Sequence, residues 1–329
     1  MEYTNDDGST GSYNEDGSGS YTAADGSTQT WDAEGNGSYE MADGSSGSYS
    51  ADGSYTHNDA DGNSYSGDAD GNQSWTGADG STATMSADGS GTYTGADGTT
   101  ATQDADGNGS YEMADGSSGT WDADGGGTYT EADGSSGSYS ADGSYSHTDA
   151  DGNSHSADAD GNESYTGADG SSGTMNADGS STHSDADGNS HSVDAEGNES
   201  YTGADGSSGT MNADGSSSHT DADGNSHSMD ADGNESYASA DGSSGTVNAD
   251  GSSTHTDADG NSHSMDAEGN ESWEGADGST ATMNADGSGT YTGADGTTAS
   301  MDSEGNGSYE SADGSSGTWD ADGGGTYTE

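Results

Sequence analysis

The chain has 329 residues, of which 64 are Asp or Glu and none is Lys or Arg, giving a net charge of −64. Without cationic side chains it cannot neutralise phosphates, which excludes direct nucleic-acid binding. The absence of Cys excludes disulfides, thiol catalysis and thiolate metal sites, and no apolar run approaches the length of a membrane span. A composition this acidic, with no Leu, Ile, Phe or Pro, would ordinarily mean disorder.

The order of the residues argues otherwise. After a stub at 1–5, which is acidic and lacks the apolar core of a signal peptide, an acid followed by Gly stands at Asp7-Gly8, Asp16-Gly17 and Asp25-Gly26. It returns every nine residues, without a slip, to Asp322-Gly323, so residues 6–329 are 36 nonapeptides. A register kept this long signals a repeat architecture. Each unit reads Ala-Asp-Gly-Ser/Asn, with the acid second, followed by a Ser/Thr-rich stretch around one large side chain.

Along the chain the large residue alternates in place. Odd units carry it eighth, as in Tyr13, Trp31, Tyr49, Met85 and Trp121; even units carry it seventh, as in Tyr21, Tyr39, His57, Trp75 and Tyr93. The true period is therefore eighteen, and the block 78–131 returns at 276–329. The simplest geometry is an all-β, parallel β-solenoid resembling a β-roll, with 18 residues per coil, two strands and two turns per coil, and about 18 coils in a single repetitive domain over 6–329. Residues two apart on a strand share a face. In odd units a bulky eighth residue accompanies a small sixth, as in Gly47/Tyr49, Ala83/Met85 and Gly119/Trp121. This predicts that the sixth and eighth positions point into a thin core, with Ser/Thr at the seventh facing out.

The turn acid is never Asn in any of the 36 units, and four units use Glu (Glu34, Glu196, Glu268, Glu304). Asp-Gly is an ordinary turn pair, yet the retained property is charge. Carboxylates stacked at the ~4.8 Å strand spacing would repel one another, so cations are expected to screen or bridge them, and folding is expected to depend on them. In many units a second acid or amide stands just before or after the turn. The candidate ligand sets are Asp122 and Asp124; Asp149, Asp151 and Asn153; Asp158 and Asp160; Asp185 and Asp187; Asp194 and Glu196; Asp221 and Asp223; Asp230 and Asp232; Asp257 and Asp259; and Asp266 and Glu268. Such hard oxygens suit Ca²⁺.

Paired nonapeptides, acidic Gly-containing turns and one apolar position per strand resemble the RTX-like calcium-binding β-roll repeat proteins. The resemblance spans nearly the whole chain in periodicity, and it implies a Ca²⁺-loaded solenoid. The family's Gly-Gly-x-Gly-x-Asp motif is absent, so no ligand position transfers. Asp-x-Asp-Gly-Asn is also similar to the calcium loops of thrombospondin type 3 repeats.

Other features are weighed against plainer readings. His147/His155, His183/His191, His219/His227 and His255/His263 recur every 36 residues in columns otherwise held by Tyr, Trp or Gly. They read as ladder fillers, with a transition-metal or pH-sensing row as the alternative. No single Ser/His/Asp constellation stands out from its neighbours, so catalysis is not expected. The expectation is a secreted structural protein, extracellular or at the cell surface. It would be Ca²⁺-stabilised and would assemble head to tail into filaments or form an adhesin or matrix stalk, because the first and last repeats show no distinct cap. The Ser/Thr ladders could carry glycans. The alternative is an ice- or mineral-binding solenoid using those ladders or the acidic columns, and halophile adaptation would equally explain the acidity.

Overall fold

The computed structural model describes residues 1–329 and contains only β-strands and turns. After β1 (Glu2–Thr4), every nonapeptide supplies one four-residue strand from its fifth to eighth positions, beginning with β2 (Thr10–Tyr13) and β3 (Gly19–Thr22) and ending with β37 (Gly325–Thr328). The chain divides into two compact units, Met1–Ala168 and Asp169–Glu329. Within each, successive strands pair antiparallel as a simple meander. Residues 1–5, outside the repeat by count, supply β1 and the first half of its turn.

The parallel solenoid expected from the sequence is therefore corrected to an antiparallel sheet, and the turn is the reason. The ninth residue and the next unit's first three form a tight reversal. The Gly17 N–H donates to the Asn14 carbonyl (3.1 Å) and the Asn14 N–H to the Ser18 carbonyl (2.8 Å). This is a three-residue hairpin loop, a type I turn followed by a left-handed residue. All 36 turn glycines hold that last place, with φ between 85° and 96°. A connection this short sends the next strand back beside the last one, whereas parallel neighbours need a long crossover.

The predicted thin core is corrected as well. No hydrophobic side chain is buried, and the only buried polar residues are Ser9, Ser45, Ser81 and Ser135. The sixth and eighth positions of odd units do share a face, as expected, but that face is one side of a single-layer sheet. The antiparallel register places odd sixth against even seventh and odd eighth against even fifth. Between β13 (Gly109–Glu112) and β14 (Ser118–Trp121), Tyr111 opposes Gly119 and Trp121 opposes Gly109. Large and small residues thus compensate across strands. A Cβ on Gly109 would lie 2.1 Å from Trp121 Cζ2, and one on Gly119 would lie 2.7 Å from Tyr111 Cε1. Each ring covers the facing glycine, a known device for steadying exposed sheets.

The opposite face is made of hydroxyls. The fifth and seventh positions of odd units and the sixth of even units are Ser or Thr throughout, and the even eighth departs from this only at Glu40, Asn58, Glu112, Ala238, Glu274 and Glu310. Hydroxyl pairs bridge neighbouring strands, for example Ser12 to Ser20 (2.8 Å), Thr120 to Thr128 (2.7 Å) and Thr282 to Thr290 (2.7 Å). With no core to bury, order rests on the ladder, the turns and these cross-strand pairs.

Candidate functional site

The acids gather at the turns, and the turns come in two kinds. Where the ninth position is any residue but Asp, the fourth is Ser or Thr and the second-position Asp folds over the loop. Asp142 Oδ1 accepts the Ser144 N–H (2.9 Å) and the Ser144 hydroxyl (2.7 Å). Where Asp stands at the ninth position, it takes over. Asp158 Oδ1 accepts the Asp160 N–H (2.9 Å) and the Asn162 N–H (2.9 Å), and Asp158 Oδ2 accepts the Asn162 amide (2.7 Å). These hydrogen bonds favour the ionised form. They hold the carboxyl of Asp158 below its ordinary value of 3.8, with the Asn162 side chain the main cause, and do the same for Asp142, led by the Ser144 hydroxyl.

In turns of the second kind, the second-position acid is released from the loop. All four Glu residues at that position, Glu34, Glu196, Glu268 and Glu304, fall in such turns, behind Asp32, Asp194, Asp266 and Asp302. Their longer side chains are tolerated because another carboxylate makes the turn. The released position nevertheless stays acidic in all fifteen turns of this kind, which turn geometry alone does not require.

Each sequence-predicted ligand set lies within one such turn, with divided roles. Asp122, Asp149, Asp158, Asp185, Asp194, Asp221, Asp230, Asp257 and Asp266 accept N–H groups of their own loops. Asp124, Asp151, Asp160, Asp187, Glu196, Asp223, Asp232, Asp259 and Glu268 are exposed at the loop tips. No group of three His, Asp or Glu side chains converges to hold a metal. The first carboxylate of each pair already faces N–H donors, so the pair does not fit a closed Ca²⁺ cage. Turns on one edge of the sheet are also two strands apart, ~10 Å rather than ~4.8 Å. That is about a Debye length in physiological salt, so mobile ions screen much of the repulsion.

Asn153 has a function the sequence reading did not give it. Its amide donates to Asp149 Oδ2 (2.8 Å), and its Oδ1 accepts the Ala168 N–H of the next turn on that edge (2.9 Å). Asn36, Asn198 and Asn270 make the same bridge to Ala51, Ala213 and Ala285. The signal was present: Asn occupies the fourth position only when Asp precedes it at the ninth.

The His columns sit on the aromatic face, with His147 directly opposite His155, His219 opposite His227 and His255 opposite His263. Tyr129 and Tyr237 hydroxyls lie 2.8 Å from Nδ1 of His147 and His255. His155, His191, His227 and His263 lie 3.2–3.5 Å from Glu163, Glu199, Glu235 and Glu271. These half-exposed pairs contribute little stability.

The aromatic face is open. Within the strands, every exposed large hydrophobic residue lies on it, Tyr13, Met85, Met175 and Met211 being 56–63% exposed. In the second unit a groove of about 240 Å³ runs along it, walled by Trp273 and Trp319 over Met283, Tyr291 and Met301.

These features define a class, an all-β tandem-repeat protein with acidic turns and two unlike faces. No family model and no curated protein matches the chain. Among solved structures it is similar to the CPAP G-box domain (19% identity, TM-score 0.31, covering 51% of this chain and 99% of that one). It is also similar to the Danio rerio CPAP TCP10 domain in complex with a STIL peptide (18% identity, TM-score 0.22, 60% and 95%). A third likeness is to the Drosophila melanogaster SAS-4 TCP domain in complex with a proline-rich motif of Ana2 (21% identity, TM-score 0.30, 39% and 86%). Likenesses this remote carry neither function nor partner to this chain.

Proposed function

We propose that the chain is a non-catalytic structural protein that works by assembly, in an extracellular or cell-surface setting. The observation that carries this reading is uniformity: nearly every turn repeats one of two hydrogen-bonding schemes, and no constellation differs from its neighbours enough to be a reaction centre. A meander of short strands carries free backbone groups at its edges that are templates for further pairing, and head-to-tail pairing of copies generates an open filament. Calcium enters as a counterion to the loop-tip acids of both turn rows, lowering the repulsion between copies of charge −64. In this role Mg²⁺ serves nearly as well.

The test is electron microscopy and sedimentation of the purified chain in EDTA, Ca²⁺, Mg²⁺ and NaCl of matched ionic strength. Fibres should grow with either divalent cation, while β circular dichroism persists in EDTA at physiological salt. Monomers at every concentration in Ca²⁺ would refute the assembly reading. Loss of β signal in EDTA, restored by Ca²⁺ alone, would instead point to specific ligation. Fibres in NaCl as abundant as in Ca²⁺ would favour halophile adaptation as the source of the acidity.

The Ser/Thr face favours a second reading, binding of ice or mineral. It is a nearly unbroken hydroxyl array, repeating every two strands. An ice recrystallisation assay separates this reading from a pure scaffold, which should leave crystal growth unaltered.

A further inference from the structure

We propose that the aromatic face is an interface between two copies of this chain, packed face to face. Three observations lead there. First, a sheet with one apolar face ordinarily buries it against another layer, yet this chain buries no hydrophobic side chain and exposes 19173 Å². A folded monomer of this length exposes only ~12,000 Å². Second, the units hold 19 and 18 strands, whereas strongly twisted open sheets rarely exceed ~10 strands without curling, flattening or splitting into two packed layers. Third, the area suffices. With ~4.8 Å between strands and ~3.3 Å per residue, the face of the 18-stranded second unit spans roughly 1,100 Å²; its strands from Thr280 onward carry only apolar, Tyr, Trp and Gly residues there, and the earlier ones add His residues with Glu199, Glu235 and Glu271. A stable interface needs ~800 Å² per partner.

The chemistry of the face fits a copy of itself. Trp and Tyr rings lie across glycines, as Trp319 does over Gly307 and Tyr309 over Gly317, which keeps the surface low enough for a second sheet at the usual ~10 Å. The groove between Trp273 and Trp319 is open where Ala281 and Ala299 leave room. A projecting Met283 or Met301 of the second copy would fill it. The groove's residues recur 198 positions earlier in the first unit, where Trp75, just ahead of the repeated block, and Met85, Tyr93 and Trp121 within it stand at the corresponding positions, with Gln103 in place of Met301. The hydroxyl face offers no such surface, since it is polar and its side chains hydrogen-bond to one another. Most carboxylates sit at strand ends, so face-to-face packing leaves the turn rows of the two copies about one sheet spacing apart. Their repulsion is then screened at high salt.

Salt dependence therefore distinguishes this interface from its rivals. Sedimentation equilibrium of the whole chain should give monomers in 20 mM NaCl and a dimer in 0.5 M NaCl, with blue-shifted Trp emission and reduced acrylamide quenching in the dimer. Met283→Thr with Trp319→Thr should weaken dimerisation at least tenfold, whereas Thr282→Ser with Thr290→Ser on the hydroxyl face should leave it unchanged. If the first variant fails to fold by circular dichroism, acrylamide quenching of the unaltered chain across the salt series still decides. Trp accessibility that does not fall as dimers form would overturn the proposal. So would monomers at every salt concentration, and so would Trp shielding that appears only on adding polylysine at low salt, which would make a basic polypeptide the occupant. The closed pair is separable from end-to-end growth: dimers without fibres support this interface and contradict the filament, and fibres with open Trp residues do the reverse.

Discussion

The turn at 140–144 and the turn at 158–162 lie on the same edge of the first unit and have the same backbone, yet they are held by different carboxylates. In Ser140-Ala141-Asp142-Gly143-Ser144 the Asp in the middle makes the loop. In Asp158-Ala159-Asp160-Gly161-Asn162 the Asp at the start makes it, and the middle acid is free. The comparison separates two reasons for acidity that the sequence mixes. One Asp per turn is structural, while the released position stays acidic without any bond that demands it, which fits the proposed role of these acids in the electrostatics of the surface.

The largest effect should come from acid, which acts on both kinds of turn at once. Asp142 and Asp158 have carboxyls lowered from 3.8 in the folded state, so the unfolded chain binds protons more readily. Their contribution is fully present above pH 3.8 and is lost as pH falls below it, through the folded values. Circular dichroism against pH should show β structure persisting to about pH 4 and collapsing below. Stability that rises steadily down to pH 2 would mean that relief of charge repulsion outweighs the turn hydrogen bonds.

Next in size, both turns share a demand on the glycine that follows the acid. Gly143, at φ 91°, and Gly161, at φ 86°, should each cost ~1–2 kcal/mol on substitution by Ala, the penalty of a left-handed conformation. Equal losses at the two sites, read from thermal or urea unfolding, are expected. On the strand that carries the covered glycine, Gly119→Val should cost ~1–3 kcal/mol by overpacking against Tyr111 and the Thr128 carbonyl. Thr120→Ser beside it should stay within ~0.5 kcal/mol.

The sharpest contrast is smaller. Asp158→Ala should lower the melting temperature and Asp160→Ala should not; in the other turn Asp142→Ala should lower it and Ser140→Ala should not. If Asp160→Ala proves as damaging as Asp158→Ala, the division of labour between the two acids is wrong.

Much of this was legible beforehand. Asp-Gly fixed the turns, and the period-two alternation sorted Ser and Thr onto one face and the large residues onto the other. Strand direction was misread because a nine-residue unit serves equally as half of a coil or one limb of a hairpin. The shift of the large residue from the eighth to the seventh position fits either geometry, since an eighteen-residue coil would stack eighth on eighth and seventh on seventh. What belongs to antiparallel pairing is the match of size across strands, odd sixth against even seventh, as Gly119 meets Tyr111. The expected core fails for the same cause: Gly47 and Tyr49 share a strand face without filling one interior, since Gly47 lies under Tyr39 and Tyr49 covers Gly37. The loop acids read alike because the choice of working carboxylate depends on whether Asp stands at the ninth position, as at Asp158 before Asn162 and at Asp122 before Gly126, rather than on the second-position acid itself.

The single-layer antiparallel sheet is tested most directly by paired cysteines in this cysteine-free chain. Thr120 lies opposite Thr128 on one side and Ser110 on the other. The variant Thr120→Cys/Thr128→Cys should therefore form a disulfide far faster under native conditions than in denaturant, its Cα atoms falling within the ~4.4–6.8 Å that a disulfide needs. Ser110→Cys/Thr128→Cys, eighteen residues apart with a strand between them, should show no native acceleration. A parallel coil of eighteen residues would stack 110 on 128 and reverse the result, and that outcome would contradict the fold described.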